Sequence, residues 1–270
     1  LSLFAYVIAA FLARPDWYAV AKATFVPQIQ FTSEYITTIV AILGTTISPY
    51  LFFWEASEEV EEEKSEGRKD VNTRRGATDK EIKKEKIDTI VGMLFCNVVF
   101  YFVIVSAGAT LHVSGQTQIQ SATEAAQALR PLAGNFATIL FGIGLIGAGL
   151  LAVPVLTGSA AYAVSETFGW PSGLDEKPRH AKKFYAVIAA STIVGVLIDF
   201  AGINPISALF WTAVINGVVA PPLLVVVMLV ANNKRVMGER TNGRWTNVFG
   251  WLATAVMFAA AIGMFVTWSS

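Results

Sequence analysis

Cysteine and histidine are nearly missing from this sequence: Cys96 stands alone, and His112 and His180 are the only histidines in 270 residues. One thiol cannot close an internal disulfide, and His and Cys alone cannot furnish a structural zinc site, so redox and structural-zinc roles are excluded. Charge is scarce as well. Only 15% of the residues are charged against 54% hydrophobic, and the mean hydropathy of +0.54 exceeds what one soluble core of this length needs. Twenty Lys and Arg balance twenty Asp and Glu, yet both signs crowd into a few polar connections and leave long stretches uncharged, the mark of a membrane protein. The chain opens on Leu1 inside an apolar run, with neither an initiator methionine nor the charged start of a signal peptide, so an upstream part is expected.

What is abundant is the long apolar run. A helix needs about 20 residues to cross roughly 30 Å of hydrocarbon, and the sequence offers a partial span at Leu1–Ala13 and six full ones. These are Tyr35–Trp54, Asp88–Leu111, Phe136–Ala163, Phe184–Gly202, Ile206–Ala231 and Val248–Trp268. They are apolar on all sides and lack the alternation of membrane strands, so helices are the arrangement that satisfies the backbone in lipid. The expected fold class is an all-α membrane protein, one transmembrane domain over residues 1–270 with a charged loop at 55–87.

Basic residues set the orientation. Lys64, Arg68, Lys69, Arg74, Arg75, Lys80, Lys83, Lys84 and Lys86 follow the second segment; Lys177, Arg179, Lys182 and Lys183 precede Phe184; Lys234, Arg235, Arg240 and Arg244 occupy the next such connection. The opposite side keeps only Arg14, Lys22 and Arg130. The loops 55–87, 164–183 and 232–247 are therefore expected in the cytoplasm of a cell whose plasma membrane, that of a bacterium, holds the chain. The block Glu55–Lys86, with eleven acidic and nine basic residues, reads as a solvated loop, helical near both ends; a second reading has its carboxylates draw cations to an inner mouth.

A dinucleotide-binding fingerprint occurs literally at Gly142-Ile-Gly144-Leu-Ile-Gly147, with Glu166 near the place of a ribose partner. That motif needs a strand before a helix. Inside a membrane span, glycines such as Gly144, with Ala148, are expected to let a neighbouring backbone approach.

The second span carries the chemistry. Pro49 removes one amide and clashes with the carbonyl of Thr45, and Gly44 adds flexibility one position earlier. Carbonyls near Thr45 and Thr46 thus lose partners at mid-membrane, where an unsatisfied polar group is costly. Either the hydroxyls of Thr45, Thr46 and Ser48 cap a kink, or the helix is discontinuous and its freed oxygens bind an ion or small substrate. Carbonyl and hydroxyl oxygens favour a hard cation.

The pattern Gly44-Thr45-Thr46-Ile47-Ser48-Pro49-Tyr50 resembles the sixth membrane helix of the Nramp family of divalent-metal transporters, usually Gly-Ala-Thr-Val-Met-Pro-His. Continued through Leu-Phe-Phe-Trp-Glu-Ala-Ser, it looks like the Nramp-related bacterial branch that includes magnesium transporters. The run Gly144-Leu-Ile-Gly-Ala-Gly-Leu-Leu-Ala-Val-Pro-Val-Leu-Thr-Gly-Ser is similar to the family's eighth helix. The resemblance implies a partial inverted-repeat, LeuT-type five-plus-five fold, running from the end of helix five through helix eleven, with about six full membrane helices and one truncated.

By the same resemblance, Thr45 offers a backbone carbonyl to the metal, Ser48 stands where the family has a methionine thioether, and Asn216 is the candidate amide of the tenth helix. Losing the thioether shifts the preference toward Mg2+ or Mn2+, magnesium favoured, and Tyr50 and Glu55 replace histidines tied to proton coupling. The family's Asp-Pro-Gly-Asn motif on its first helix is absent, so missing N-terminal helices of the same protein are expected to complete the site. Asp88 and Asp199 read as interfacial carboxylates, Asn97 as an interhelical hydrogen-bond partner, and most tryptophans as an interfacial belt. The implied activity is alternating-access transport of a divalent cation, with the lipid bilayer as surroundings, no resident cofactor and no nucleic acid. An amino-acid transporter of the same architecture and a non-transporting scaffold are the rivals. An enzyme lacks support, because the spans hold no His–Glu, Ser–Lys or Cys–His pair at helical spacing.

Overall fold

A computed structural model describes residues 3–74 and 76–268; Leu1 and Ser2 of the partial span and Arg75 of the charged loop lie outside them, as does the side chain of Asp199. The described residues form helices without any strand: α1 (Phe4–Leu12), α2 (Trp17–Phe25), α3 (Ser33–Thr46), α4 (Pro49–Ser65), α5 (Asp79–Ala107), α6 (Ala122–Ala126), α7 (Arg130–Ala133), α8 (Ala137–Phe168), α9 (Lys182–Phe200), α10 (Pro205–Ala231), α11 (Lys234–Met237) and α12 (Arg244–Trp268). A π-helical turn, Gly108–His112, prolongs α5.

Local chemistry explains the boundaries. Asp16 caps α2 by accepting the amides of Tyr18 at 2.9 Å and Ala19 at 3.2 Å. The Thr78 hydroxyl accepts the Glu81 amide while the Glu81 carboxylate takes the Thr78 amide at 2.6 Å. This capping box starts α5 nine residues before the apolar run at Asp88, inside what hydropathy alone reads as loop. In the same way α4 runs on through the glutamates to Ser65, whose straight side chains lose little rotamer freedom in a helix. At its far end α8 stops on Gly169, left-handed at φ +65°.

Five helical stretches among the described residues are long and apolar enough to cross a membrane: Ser33–Ser65 across its break, Asp79–His112, Ala122–Phe168, Pro205–Ala231 and Arg244–Trp268. The chain is an integral membrane protein. The expected span at Phe184–Gly202 coincides with α9, Lys182–Phe200, a helix of 19 residues.

The chain divides into two compact units. One comprises Leu1–Pro27 and Phe53–Ile206. In it, Ala5 and Ala9 of α1 pack with Leu129 and Ala137, and a second core joins Ala161, Tyr162, Ala181 and Phe184, with Trp54 against it. Trp54 is thus seated on α8, in a core and not only in an interfacial belt. The buried Ser106 hydroxyl donates to the Ala128 carbonyl at 3.0 Å. The other unit comprises Gln28–Phe52 and Ser207–Ser270, with a core of Val40 and Ala41 of α3, Val214 of α10 and Met264 of α12.

The glycine-rich stretch of α8 lies inside a continuous helix, which removes the dinucleotide reading; Gly144 and Ala148 border a cavity with Leu3 and Tyr6, while a Cβ at Gly142, Gly147 or Gly149 would meet nothing within 4 Å. Close approach occurs elsewhere, at Gly44, Gly217, Gly158 and Gly250. Asn97, expected to bridge helices, is exposed and donates to the Met93 carbonyl one turn back at 2.7 Å; a short amide on a helix finds its own backbone nearer than any neighbour.

Candidate ion site at the helix break

The interruption falls where Pro49 requires it. Helix α3 ends at Thr46, Ile47 leaves helical geometry at φ −118° and ψ 80°, and α4 begins at Pro49, the first helical position, where a missing amide costs nothing. The Ile47 amide still reaches the Leu43 carbonyl at 2.9 Å, and the Leu51 amide reaches the Ser48 carbonyl at 3.1 Å. Between them the ladder is broken, since the carbonyl of Thr45 faces a proline four residues on.

Hydroxyls repair part of the loss. Ser48, only 6% exposed, donates to the carbonyls of Gly44 at 3.2 Å and Thr45 at 3.1 Å. Thr45 donates to the Ala41 carbonyl at 2.9 Å, and Thr46 to those of Ile42 at 3.2 Å and Leu43 at 2.9 Å. The oxygens at the break are therefore not bare. Capping and discontinuity, set against each other in the sequence reading, coexist: a carbonyl oxygen has two lone pairs and a hydroxyl oxygen keeps two after donating, so Thr45 and Ser48 each retain acceptor capacity.

Gly44 has a role other than flexibility. It lies within α3, buried, and a Cβ there would stand 2.1 Å from the Ala213 carbonyl oxygen and 2.3 Å from the Gly217 nitrogen. Reciprocally, a Cβ on Gly217 would stand 2.3 Å from the Val40 carbonyl oxygen. Helices α3 and α10 thus cross with backbones in contact, which only glycine permits. Thr45 follows Gly44 on α3, and the half-buried Asn216 precedes Gly217 on α10, in the same unit. Ser48 follows one turn beyond Gly44, and Tyr50 is half-buried in the first turn of α4.

The candidate donors named from the sequence are all neutral oxygens: a carbonyl, a hydroxyl and an amide. No group of three or more His, Cys, Asp or Glu able to hold a metal exists among the described residues, and Glu55 is exposed on α4. Such oxygens can replace part of the hydration shell of a hard cation but cannot balance its charge.

Sequence reasoning missed a second polar cluster on the same helix. The Glu61 carboxylate, three turns below the break, receives the Tyr162 hydroxyl and the amides of Leu174 at 2.9 Å and Asp175 at 3.3 Å. Its partners lie 101 to 114 positions away in the chain, so no local pattern announces it.

The chain is 28% identical over 270 residues to the divalent metal cation transporter MntH of Clostridium acetobutylicum, covering 98% of this chain and 57% of that protein. It is 26% identical over 268 residues to the protein of the same name from Bacillus subtilis, covering 97% and 57%. The chain therefore spans a little over half the length of the curated relatives it matches. The Nramp family model, natural resistance-associated macrophage protein-like, matches residues 1–267, and the chain belongs to that family.

Proposed function

We propose that the complete protein carries divalent metal cations across the membrane by alternating access, and that the ion is held at the break by the Thr45 carbonyl, the Ser48 hydroxyl and the Asn216 amide. The observation that carries this reading is the Gly44–Gly217 backbone crossing, which sets an interrupted helix beside an amide-bearing one. Neutral oxygen donors suit a hard ion, so Mg2+ or Mn2+ is the cargo, with magnesium favoured because a serine hydroxyl replaces a soft thioether. Both charges of the ion remain uncompensated by these donors; the N-terminal helices of the same protein supply the carboxylate. The connections 55–87, 164–183 and 232–247 face the cytoplasm, in keeping with their basic residues. Transport, not catalysis, is the activity, and the ion is cargo, with no resident cofactor.

The test is ion flux into liposomes holding the full-length protein. Mg2+ and Mn2+ should each enter and compete, and Ser48→Met should raise Cd2+ or Mn2+ entry relative to Mg2+. Uptake inhibited by amino acids and indifferent to divalent ions would overturn the reading, as would unchanged ion selectivity in the methionine variant.

A further inference from the structure

Helix α10 runs from Pro205 to Ala231 although it holds two adjacent prolines, Pro221 and Pro222. Each removes an amide that would have gone to the carbonyl four residues back, so the carbonyls of Gly217 and Val218 lose their α-helical donors. The two losses are not equal. A carbonyl can instead receive the amide five residues on, as in a π-turn. For Val218 that amide belongs to Leu223. For Gly217 the fifth residue is Pro222, so neither donor exists.

Side chains do not make up the loss. Hydroxyls commonly satisfy such a carbonyl in a membrane helix, but α10 has no serine or threonine between Ala213 and Val230. Asn216 is the one polar side chain in that stretch, and helical side chains lean toward the N-terminus, away from the oxygen of the next residue. Hydroxyls on the helices packed with α10 are spent on their own backbones: Thr45 on Ala41, Thr46 on Ile42 and Leu43, Thr254 on Gly250, Thr267 on Gly263 and Met264. Pro49 creates the same deficit at Thr45, and there the Ser48 hydroxyl covers it at 3.1 Å. Gly217 has no counterpart to Ser48 on its own helix.

The proline rings mark which way each orphaned oxygen faces, because a helical carbonyl abuts the residue four positions on. Pro221 is fully buried and Pro222 is exposed. The Gly217 oxygen therefore lies on the packed side of α10 and the Val218 oxygen on the open side. Gly217 itself meets α3, since a Cβ on Gly44 would stand 2.8 Å from the Gly217 Cα. By bond lengths, the Gly217 oxygen then falls within about 7 Å of the Gly44 Cα. A buried carbonyl without a donor is costly in hydrocarbon, and beside an interrupted helix it is a ready ligand for a cation.

We propose that the Gly217 carbonyl is a further oxygen ligand of the transported divalent cation, kept free for it by the Pro221–Pro222 pair. This role rests on the reading of the break at Thr45 and Ser48 as the ion-carrying site, which belongs with Gly217 to one unit. It adds one neutral oxygen to the carbonyl, hydroxyl and amide already named, toward the roughly six that Mg2+ takes. A peptide oxygen in a packed helix also has no rotamer freedom to lose when the ion arrives.

A carbonyl cannot be deleted by substitution, so the test occupies it. Pro221→Ala returns an amide facing Gly217, and Ala220→Ser offers the same oxygen a hydroxyl while keeping both prolines. The readouts on the full-length protein are Mn2+ influx into liposomes at varied Mn2+ concentration, and the rise in melting temperature that Mn2+ produces in detergent. Both variants should raise the half-saturating Mn2+ concentration by about tenfold, the worth of one oxygen to a charged partner, and should shrink the Mn2+-induced rise. Pro222→Ala, whose amide goes to Val218 on the open side, should leave both readouts at the parent level. If the unaltered protein takes up Mn2+ and Pro221→Ala changes neither readout, the ligand role is overturned while the transport reading stands. An equal effect from Pro222→Ala overturns it too, because the cause would then be the bend of the helix and not the Gly217 oxygen. Where Pro221→Ala does not fold, Ala220→Ser decides by the same two readouts. If the unaltered protein takes up neither Mn2+ nor Mg2+, the transport reading falls and this role falls with it.

Discussion

Gly44 and Gly217 lie each against the other's helix backbone. A Cβ added to the first would stand 2.1 Å from the Ala213 oxygen and 2.3 Å from the Gly217 nitrogen, and one added to the second 2.3 Å from the Val40 oxygen. The obstacles are backbone atoms, which cannot rotate away. Gly44→Ala or Gly217→Ala must therefore separate α3 from α10, at a cost of about 1–3 kcal/mol or more. The expected outcome is a lowered melting temperature in detergent and loss of Mn2+ uptake in either variant. Alanine at Gly142, where a Cβ meets nothing within 4 Å, should leave both unchanged; equal effects at Gly44 and Gly142 would refute the assignment.

Ser48 caps the break, and substitution can separate that role from the ion contact proposed for it. Its hydroxyl bonds the carbonyls of Gly44 and Thr45 from a buried position, so Ser48→Ala leaves two carbonyl oxygens short of a donor. The loss should be about 1–3 kcal/mol of stability, read as a fall in melting temperature. Ser48→Thr restores the hydroxyl and should recover most of that stability; if ion flux recovers too, the oxygen is what both functions use.

Acid should loosen the start of α5 late, and the sign follows from Glu81. This residue lies in the charged extension before the apolar part of α5. The Thr78 amide, then the Thr78 hydroxyl, then Arg68 at 2.7 Å hold its carboxyl down to about 2. A depressed carboxylate stabilises the fold fully above its ordinary value of about 4.3, and that contribution disappears as pH falls through about 2. At pH 3 the cap should persist in the unaltered protein and fail in Thr78→Ala. Pepsin cleavage within residues 66–80 at pH 3 should accordingly be faster in the variant, and equal rates would contradict the capping box.

Arg68 joins three carboxylates across the turn between α4 and α5: Glu63 at 3.2 Å, Glu66 at 2.6 Å and Glu81 at 2.7 Å. Such partly exposed pairs are weakened by salt. Trypsin or glutamyl-protease cutting in this connection should accelerate between low and molar salt, and Arg68→Gln should show the high-salt rate at all ionic strengths. A cutting rate indifferent to salt would show that the bridges hold nothing.

Much of this was legible in the sequence, and the boundary of legibility is physical. Long uncharged runs reveal spans because lipid imposes a length and an apolarity that water does not. Pro49 reveals the break because a missing amide acts locally. What stayed hidden was tertiary. Nothing near Gly44 says that its hydrogen faces Ala213, about 170 residues on, and Gly44 reads as easily as a flexible joint. Likewise, nothing in the sequence of α8 says that Gly158 receives an indole while Gly142, Gly147 and Gly149 meet nothing within 4 Å. The Thr78–Glu81 box was written in the sequence, but inside a charged stretch where a hydropathy reading does not look. The Glu61 clasp could be found only by folding.

The indole of Trp54 resting on Gly158 makes those two positions a lock and its key, one volume shared between two residues. Such a pair can be broken from either side and mended from the other. Gly158→Ala alone should jam the ring and Trp54→Phe alone should leave a hollow, yet the two together should refit and restore flux toward the parent level. A selection for growth on limiting metal, started from Gly158→Ala, should therefore return smaller residues at position 54 among its suppressors.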